Sequence, residues 1–308
     1  MYDLVIIGGG PAGVAAGVYA ARKRLKTLFL TSEWGGQSTV SEGIQNWIGT
    51  VNIPGVELAE ALKKHLEHYK EDVVEIKDMQ TVTKVEKKDA GFVVTTAEGG
   101  SFETKTVLVA TGSARRKLDI PGAAEYEHKG ITYCASCDGP LFAGKDVVVI
   151  GGGNAGFETA AQLLAYTNHV TLLQRGKEYR ADEVTVRKVL ANPKMTGLTN
   201  TELVRVENDG KFVSHMVYKD MNDGQEKKIP CGGIFVEIGN VPATDFVKGL
   251  VNMNNFSQIV IDPKTQKTSV EGVWAAGDCT DVLYHQNNIA AGDAVRALED
   301  IYMALHAK

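Results

Sequence analysis

One segment at the start of the chain recurs in its middle. The sequence YDLVIIGGGPAG, from Tyr2, returns as KDVVVIGGGNAG, from Lys145, and 8 of the 12 aligned residues are identical. Each copy reads as a short apolar strand, a glycine turn and a helix of small and apolar residues, which is how a βαβ unit begins. The offset of 143 residues is too long for a solenoid period, so the repeat predicts two units built alike.

Composition narrows the class of protein. Of 308 residues, 44% are hydrophobic and 23% charged, a balance typical of a soluble globular protein. The net charge of −5 comes without a block of like charge, so we expect no binding to nucleic acid or to an anionic membrane surface. We find no apolar run long enough for a membrane span and no basic leader before the first strand, and we therefore expect a cytoplasmic protein.

The two glycine turns carry the pattern G-x-G-x-x-G, at Gly8 and again at Gly151. This pattern lets a strand turn sharply into a helix and brings backbone N–H groups onto a pyrophosphate. Ordinary glycine turns are the alternative, but the strand before and the helix after each copy favour dinucleotide binding. The candidate contacts are Gly8, Gly10, Pro11, Ala12 and Gly13 in the first copy, and Gly151, Gly153, Asn154, Ala155 and Gly156 in the second.

A ribose-binding side chain is expected about 20 residues past each turn, at the end of the next strand. In the first copy the strand TLFL ends near Thr31, and Glu33 is the candidate ribose acceptor, although a loop carboxylate facing solvent would read the same. In the second copy Gln174 stands at the strand end, followed by Arg175 and Arg180. Because a 2′-phosphate needs a cation, these arginines favour NADPH slightly, unless they are ordinary surface residues.

Two of the four cysteines, Cys134 and Cys137, form a C-x-x-C pair directly before the second glycine-turn strand. A zinc site would need two more ligands at similar spacing, and none is found, so we predict no metal. The spacing favours a redox dithiol over structural thiols, with the adjacent Asp138 able to carry a proton. Cys231 and Cys279 are isolated, and we expect them to be buried small hydrophobic residues.

Six motifs in this order give the whole chain a family resemblance. It resembles the low-molecular-weight thioredoxin reductases, and among them the flavoprotein reductase portion of the bacterial alkyl hydroperoxide reductase system. The motifs are IIGGGPAG (6–13), WGGQ (34–37), VATG (109–112), GITYCASCDGPLF (130–142), VIGGGNAG (149–156) and AAGD (275–278).

The resemblance implies an α/β fold of two Rossmann-like, three-layer ββα domains, with one domain inserted into the other. An FAD-binding domain would comprise residues 1–117 and 242–308, and an NAD(P)H-binding domain carrying the C-x-x-C pair would comprise residues 118–241. It also implies that Cys137 faces the flavin, that Cys134 exchanges with a partner protein and that Asp138 is the acid. The further implied flavin contacts are Gly36, Gln37, Asn46, Thr111, Gly112, Asp278, Gln286 and Asn287.

The chain departs from the family pattern in the nucleotide site and at its start. NADPH-using members show H-R-R-x-x-x-R after the second ribose strand, where this chain reads QRGKEYR from Gln174, and NADH-using flavoproteins of the peroxide system place an acid at the position of Gln174. The cofactor therefore stays open between NADPH and NADH. Those flavoproteins also carry an N-terminal thioredoxin-like module, so we expect electrons to leave this chain to a separate carrier.

The sequence thus predicts an NAD(P)H-dependent flavoprotein disulfide reductase that passes electrons through FAD and the Cys134–Cys137 disulfide. The expected acceptor is a thioredoxin, a glutaredoxin-like protein or a dithiol protein of a peroxiredoxin system, and the resemblance implies a homodimer. Three alternatives remain: the same flavoenzyme fed by ferredoxin or another donor, a flavin-binding redox sensor without turnover, and an oxidase that returns electrons to oxygen and needs no dithiol.

Overall fold

The computed structural model of the chain describes residues 1–41 and 43–306, without the side chains of residues 136 and 137. The chain forms two compact units, Met1–Ala114 with Val241–Lys308, and Arg115–Asn240. The second unit is therefore inserted into the sequence of the first. The resemblance implies the corresponding boundaries after residues 117 and 241.

The described residues form six α-helices and seventeen strands, with four short 3-10 helices and loops between them. The helices are α1 (Pro11–Arg22), α2 (Gly55–Tyr69), α3 (Ala135–Asp138), α4 (Asn154–Leu163), α5 (Glu183–Leu190) and α6 (Asn287–His306). The strands are β1 (Tyr2–Gly9), β2 (Thr27–Trp34), β3 (Val74–Lys77), β4 (Val82–Lys88), β5 (Gly91–Thr96), β6 (Ser101–Val109), β7 (Ser113–Arg115), β8 (Ile131–Thr132), β9 (Asp146–Ile150), β10 (His169–Leu173), β11 (Met195–Leu198), β12 (Thr201–Asn208), β13 (Val213–Asp220), β14 (Gln225–Pro230), β15 (Gly233–Val236), β16 (Asn240–Pro242) and β17 (Val273–Ala275).

The first unit is built on a seven-stranded sheet in the order β3-β2-β1-β6-β5-β4, with β17 also paired to β6. The strands β3, β2, β1, β6 and β17 run parallel, whereas β4, β5 and β6 form an antiparallel meander. Along β1, Leu4 and Ile6 pack in the core with α1 and α6, and Val5 and Ile7 pack in the core on the other face. Burial on both faces explains why this strand is apolar without a break from Leu4 to Ile7.

The second unit repeats this plan on a smaller scale. A parallel sheet in the order β11-β10-β9-β15-β8 carries α4 and α5 on one face and the antiparallel sheet β12-β13-β14 on the other. Val147 and Val149 of β9 pack with the helices, whereas Val148 and Ile150 pack with Met216 of β13. Two Rossmann-like units of three layers each confirm the predicted fold class.

The two crossings between the units lie on β7 and β16, which pair as a two-stranded sheet. Within residues 1–41 and 43–306, no helix combines the length and the apolar composition that a membrane crossing requires.

Candidate functional site

The two glycine turns have the same backbone geometry. Gly8 and Gly151 both adopt φ +123°, a conformation that L side chains rarely adopt. A Cβ on Gly8 would lie 2.2 Å from the carbonyl oxygen of Ala110, just past β6, and a Cβ on Gly151 would lie 2.1 Å from that of Glu237, just past β15. The turn therefore requires glycine at both positions, because the neighbouring strand passes too close for any side chain.

The middle glycines of the two fingerprints face open space instead. Gly10 and Gly153 are the N-caps of α1 and α4, both in extended backbone with no side-chain cap. Apart from the adjoining residues of the chain, a Cβ added to either would meet no atom of the described residues within 4 Å. A glycine that the fold does not need sterically, at the N-terminus of a helix, is where a phosphate can approach backbone N–H groups.

A cavity of about 570 Å³ opens beside the first turn. It lies entirely on residues of the first unit, between the glycine turn, the end of β2, the loop after β6 and the start of α6. The candidate contacts that line it are Gly8, Gly10, Pro11, Ala12, Glu33, Gly36, Gln37, Thr111, Gly112, Asp278 and Asn287.

Three first-unit candidates do not line this cavity. Gly13 has a packing role, because a Cβ there would lie 1.8 Å from the carbonyl oxygen of Gly8. The side-chain amide of Asn46 donates a hydrogen bond to the side-chain oxygen of Gln286 at 3.0 Å, so these two candidates lie together. The structure thus joins the segment before α2 to the segment before α6 through a pair of amides.

The second strand is longer than the sequence predicts. Its expected end is near Thr31, but β2 continues to Trp34 and carries Glu33 with it. The extension is anchored by the Gly35 N–H, which donates to the Gly9 carbonyl at 2.8 Å, and by stacking of Trp34 on Phe29. Glu33 is exposed and lies at the strand end inside the cavity lining, as a ribose acceptor would need to be.

In the second unit, Gln174 turns inward at the end of β10. Its side chain is 9% exposed, its Oε1 accepts from the Gly152 N–H at 3.1 Å, and its Nε2 donates to the Glu178 carbonyl at 2.9 Å. The strand β10 ends at Leu173, and Gln174, the next residue, turns its side chain to the glycine turn.

The loop after Gln174 folds back over the second glycine turn. The Arg180 N–H donates to the Gly152 carbonyl at 2.7 Å, and the Asp182 N–H donates to the side chain of Asn154 at 2.8 Å. The side chains of Arg175 and Arg180 are exposed. Two cations thus lie on the loop that covers the fingerprint, in a position to bind a phosphate.

The remaining candidates of the second unit lie at the start of α4. Asn154 and Ala155 are exposed there, whereas Gly156 is buried, and a Cβ on Gly156 would lie 1.8 Å from the Gly151 carbonyl oxygen.

The C-x-x-C segment forms the short helix α3 between β8 and β9. Cys134 is disulfide-bonded and half-buried, and the Asp138 N–H donates to its carbonyl oxygen at 3.0 Å. The side chain of Cys137 lies outside the described residues. The carboxylate of Asp138 accepts a hydrogen bond from the hydroxyl of Thr132, a residue that the spacing of the cysteines does not single out.

The other two cysteines are free thiols. Cys231 is 5% exposed and Cys279 fully buried, as predicted. Burial raises the pKa of the Cys231 thiol to about 12 and that of Cys279 to about 11. Among the side chains that the structure describes, no three His, Cys, Asp or Glu residues lie together as a metal site would require.

Comparison with known proteins decides the family. The model of the pyridine nucleotide-disulphide oxidoreductase family matches residues 2–300. The chain belongs to this family. An alkyl hydroperoxide reductase component from Pseudomonas aeruginosa is 42% identical over 299 residues, and a Bacillus subtilis protein named NADH dehydrogenase is 40% identical over 296. Each match covers 96% of this chain but 57% of the relative, so the chain spans little more than half the length of these curated relatives.

Solved structures agree over the whole chain. A thioredoxin reductase from Giardia duodenalis is 32% identical with a TM-score of 0.92, covering 99% of this chain and 98% of the other. The Streptococcus pyogenes thioredoxin reductase is 33% identical with a TM-score of 0.89, covering 100% of this chain and 99% of the other. The resemblance to low-molecular-weight thioredoxin reductases is therefore confirmed for this member of the oxidoreductase family.

Several residues around the oxidoreductase's cavity were missed by sequence reasoning. They come from the loop before β4 and the start of that strand, and from the segment after β16, none of which has a fingerprint of its own: Gln80, Thr81, Thr83, Ala243, Thr244, Asp245 and Phe246. The Thr111 hydroxyl, which donates to the Ala243 carbonyl at 2.7 Å, ties one of these segments to a predicted contact. Only the folded meander brings the loop before β4 to the cavity, and no spacing in the sequence marks it.

Proposed function

We propose that this chain is an FAD-dependent thiol–disulfide oxidoreductase that carries electrons from NAD(P)H to a thioredoxin-like protein. The observation that carries the proposal is the disulfide at Cys134, next to Asp138, on the same unit as the second glycine turn. The cavity on the first unit supports the flavin, and family membership supports the pairing of a pyridine nucleotide with a disulfide.

The residues of the first unit fit FAD. The N-terminus of α1, with Gly10 open beside it, suits the pyrophosphate, and Glu33 suits the ribose hydroxyls. Gly36, Gln37, Thr111, Gly112, Asp278 and Asn287 would line the rest of the site, with the Asn46–Gln286 pair beyond it. When bound, FAD accepts a hydride and returns two electrons to a disulfide.

The second unit fits a nicotinamide dinucleotide. Gly151, Gly153, Asn154, Ala155 and Gly156 would hold the pyrophosphate at the start of α4. The exposed Arg175 and Arg180 favour NADPH slightly, whereas a relative named NADH dehydrogenase favours NADH. If these arginines hold a 2′-phosphate, the double variant Arg175→Ala/Arg180→Ala should raise KM for NADPH about tenfold and change KM for NADH little.

The thiol chemistry falls to three residues. We assign Cys134 as the thiolate that attacks the partner's disulfide, forming a mixed disulfide and releasing one partner thiolate. Cys137 would then attack the sulfur of Cys134, which closes the Cys134–Cys137 disulfide and releases the second partner thiolate. The partner gains two electrons, and Asp138 handles the proton that the thiols lose.

A protein disulfide is the acceptor that the surface beside the dithiol suits. Leu141, three residues past Asp138, is 65% exposed, and Tyr166, packed near Gly139, is 39% exposed. Exposed apolar side chains next to a reactive group favour a protein over a small polar substrate. The candidates are a thioredoxin, a glutaredoxin-like protein or a dithiol protein of a peroxiredoxin system, and the names of the relatives support the last.

We further propose a homodimer that works in the cytoplasm, where NAD(P)H is available. Ile48, Val51 and Leu283 are each more than four-fifths exposed, and Tyr284 is 64% exposed, all on the first unit. The Ile48 N–H donates to the side chain of Asn288 at 3.4 Å, which links the two segments that carry them. A second copy covering these residues would appear as twice the chain's mass of 33.2 kDa in light scattering.

The deciding experiment is an anaerobic titration of the flavin-loaded protein with NADPH and NADH side by side, followed by addition of oxidised thioredoxin. Cys134→Ser should lose thioredoxin reduction and keep flavin reduction, and Cys231→Ser should keep both. Loss of both reactions in Cys134→Ser would contradict the assignment. Flavin reduction without any turnover in the unaltered protein would favour a redox sensor.

A further inference from the structure

The hydroxyl of Thr132 joins the two ends of the redox turn. Thr132 is the last residue of β8 and is 6% exposed. Its Oγ1 donates a hydrogen bond to Oδ2 of Asp138 and lies 3.4 Å from the backbone nitrogen of Cys134, whose N–H it accepts. One buried side chain therefore contacts both the residue after the dithiol and the first cysteine.

Thr132 is held by the sheet, whereas its two partners belong to the turn. It pairs in register with Phe235 of β15, and the Ile234 N–H donates to the Gly130 carbonyl at 2.7 Å. Asp138 ends the four-residue helix α3. A hydroxyl fixed by a strand can hold a carboxylate more firmly than four helical residues can, because so short a helix has little cohesion of its own.

The hydrogen-bonding capacity of the Thr132 hydroxyl determines which oxygen of Asp138 accepts its proton. A threonine hydroxyl has one proton to donate and two lone pairs to accept with. At Thr132 the proton goes to Oδ2 of Asp138 and one lone pair accepts from the Cys134 N–H. Oδ2 is therefore an acceptor, and as long as the hydroxyl keeps this orientation a proton that Asp138 binds goes to Oδ1.

We propose that Thr132 is a positioning residue for the proton step at the dithiol, an inference that rests on the function proposed above. It stabilises the ionised form of Asp138, directs the proton that Asp138 carries to Oδ1, and ties that carboxylate to the backbone of Cys134. It acts through these two residues.

The same unit offers a matched control. Thr167 is 1% exposed, and its hydroxyl donates to the Leu163 carbonyl at 2.9 Å, an ordinary helical carbonyl with no titrating group. Thr132→Val and Thr167→Val each remove one buried hydroxyl and keep the side-chain shape. Both should lower stability by a similar amount, but only the first removes a hydrogen bond to a carboxylate.

The test compares flavin-loaded wild type, Thr132→Val, Thr132→Ser, Thr167→Val and Asp138→Asn by two readouts across pH. The first is the rate of thioredoxin reduction. The second is the rate at which iodoacetamide alkylates Cys134 in protein reduced with dithiothreitol, followed by mass spectrometry, which needs neither flavin chemistry nor a partner. Asp138→Asn identifies the inflection that belongs to Asp138, because that variant lacks it.

Thr132→Val should slow thioredoxin reduction about tenfold, the size of one lost hydrogen bond to a charged group. In both profiles the inflection of Asp138 should move to higher pH, since loss of the donor destabilises the carboxylate. Thr132→Ser should restore both, and Thr167→Val should leave both profiles at their wild-type positions. If Thr132→Val does not fold, Thr132→Ala removes the same hydroxyl.

An inflection that stays in place in Thr132→Val, or that moves equally in Thr167→Val, would overturn the proposal. If the unaltered protein reduces no thioredoxin but the alkylation inflection still moves, the role of Thr132 stands and the proposed function falls. The two ideas therefore fail in different measurements.

Discussion

The side-chain oxygen of Gln174 accepts a hydrogen bond from the backbone N–H of Gly152, 3.1 Å away in the second glycine turn. Its amide nitrogen is also used, as the donor to the Glu178 carbonyl. A side chain at the position that usually reads a ribose is therefore committed to holding the turn and the loop that follows it.

Replacing Gln174 by Glu should weaken the binding of both NADPH and NADH rather than create a preference for NADH. A carboxylate cannot donate to the Glu178 carbonyl, and burying its charge beside that oxygen is unfavourable. We expect KM for NADPH and for NADH to rise by a similar factor, on the order of tenfold, in flavin-reduction assays. A variant that binds NADH more tightly than wild type would show that Gln174 faces the ribose after all.

Gly10→Ala and Gly153→Ala should separate the two cofactors. Both positions have negative φ and open space where the Cβ would go, so both variants should fold. The added methyl in Gly10→Ala occupies the pyrophosphate approach of the first unit, so the purified protein should lose most of its bound flavin by absorbance. Gly153→Ala should keep its flavin and raise KM for NAD(P)H about tenfold or more.

Gly8→Ala provides the contrast for this pair. Its Cβ would lie 2.2 Å from a backbone oxygen at φ +123°, so this variant should fail to accumulate as folded protein. Loss of the fold in Gly10→Ala would contradict this expectation. It would mean that the chain itself occupies the space beside Gly10, which would then not be free for a ligand.

The fold could be predicted from the sequence because each unit has a recognisable motif at its first strand and glycine turn. A continuous apolar strand and three spaced glycines report a local geometry, and that geometry is the same at Gly8 and Gly151. The inward orientation of the Gln174 side chain could not be predicted from the sequence, because it depends on contacts with the following loop, which carries Glu178 and Arg180. Thr132 was missed because it belongs to no redox or binding motif, and its proposed role depends on its hydrogen bonds to Asp138 and Cys134 in the folded chain.

The two free cysteines should resist alkylation in the folded protein. Burial raises the pKa of the Cys279 thiol to about 11 and that of Cys231 to about 12, so near pH 8 almost no thiolate forms at either. Iodoacetamide should therefore label neither residue in native protein and both in urea, as counted by mass spectrometry. Rapid native labelling of Cys231 would mean that the connection between β14 and β15, which carries it, opens readily to solvent.

Glu237 should make the stability of the chain fall as pH rises. It directly follows β15, its side chain is 13% exposed, and it accepts a hydrogen bond from the Thr159 hydroxyl at 2.8 Å. Burial raises its pKa above the ordinary value of 4.5, although Arg115, 3.8 Å away, and Thr159 act in the opposite direction. The folded state thus keeps this proton to a higher pH than the unfolded state does.

Because the folded state binds more protons in that window, the free energy of unfolding decreases from just above pH 4.5 up to the raised folded pKa. Glu237→Gln keeps the acceptor for Thr159 and removes the ionisation. In urea titrations followed by circular dichroism, the free energy of unfolding of the variant should fall less than that of wild type between pH 5 and pH 8. Glu202→Gln, an exposed glutamate of the same unit, should follow wild type. Equal pH dependence in Glu237→Gln and wild type would mean that the carboxyl is ionised in the folded protein throughout, held so by Arg115.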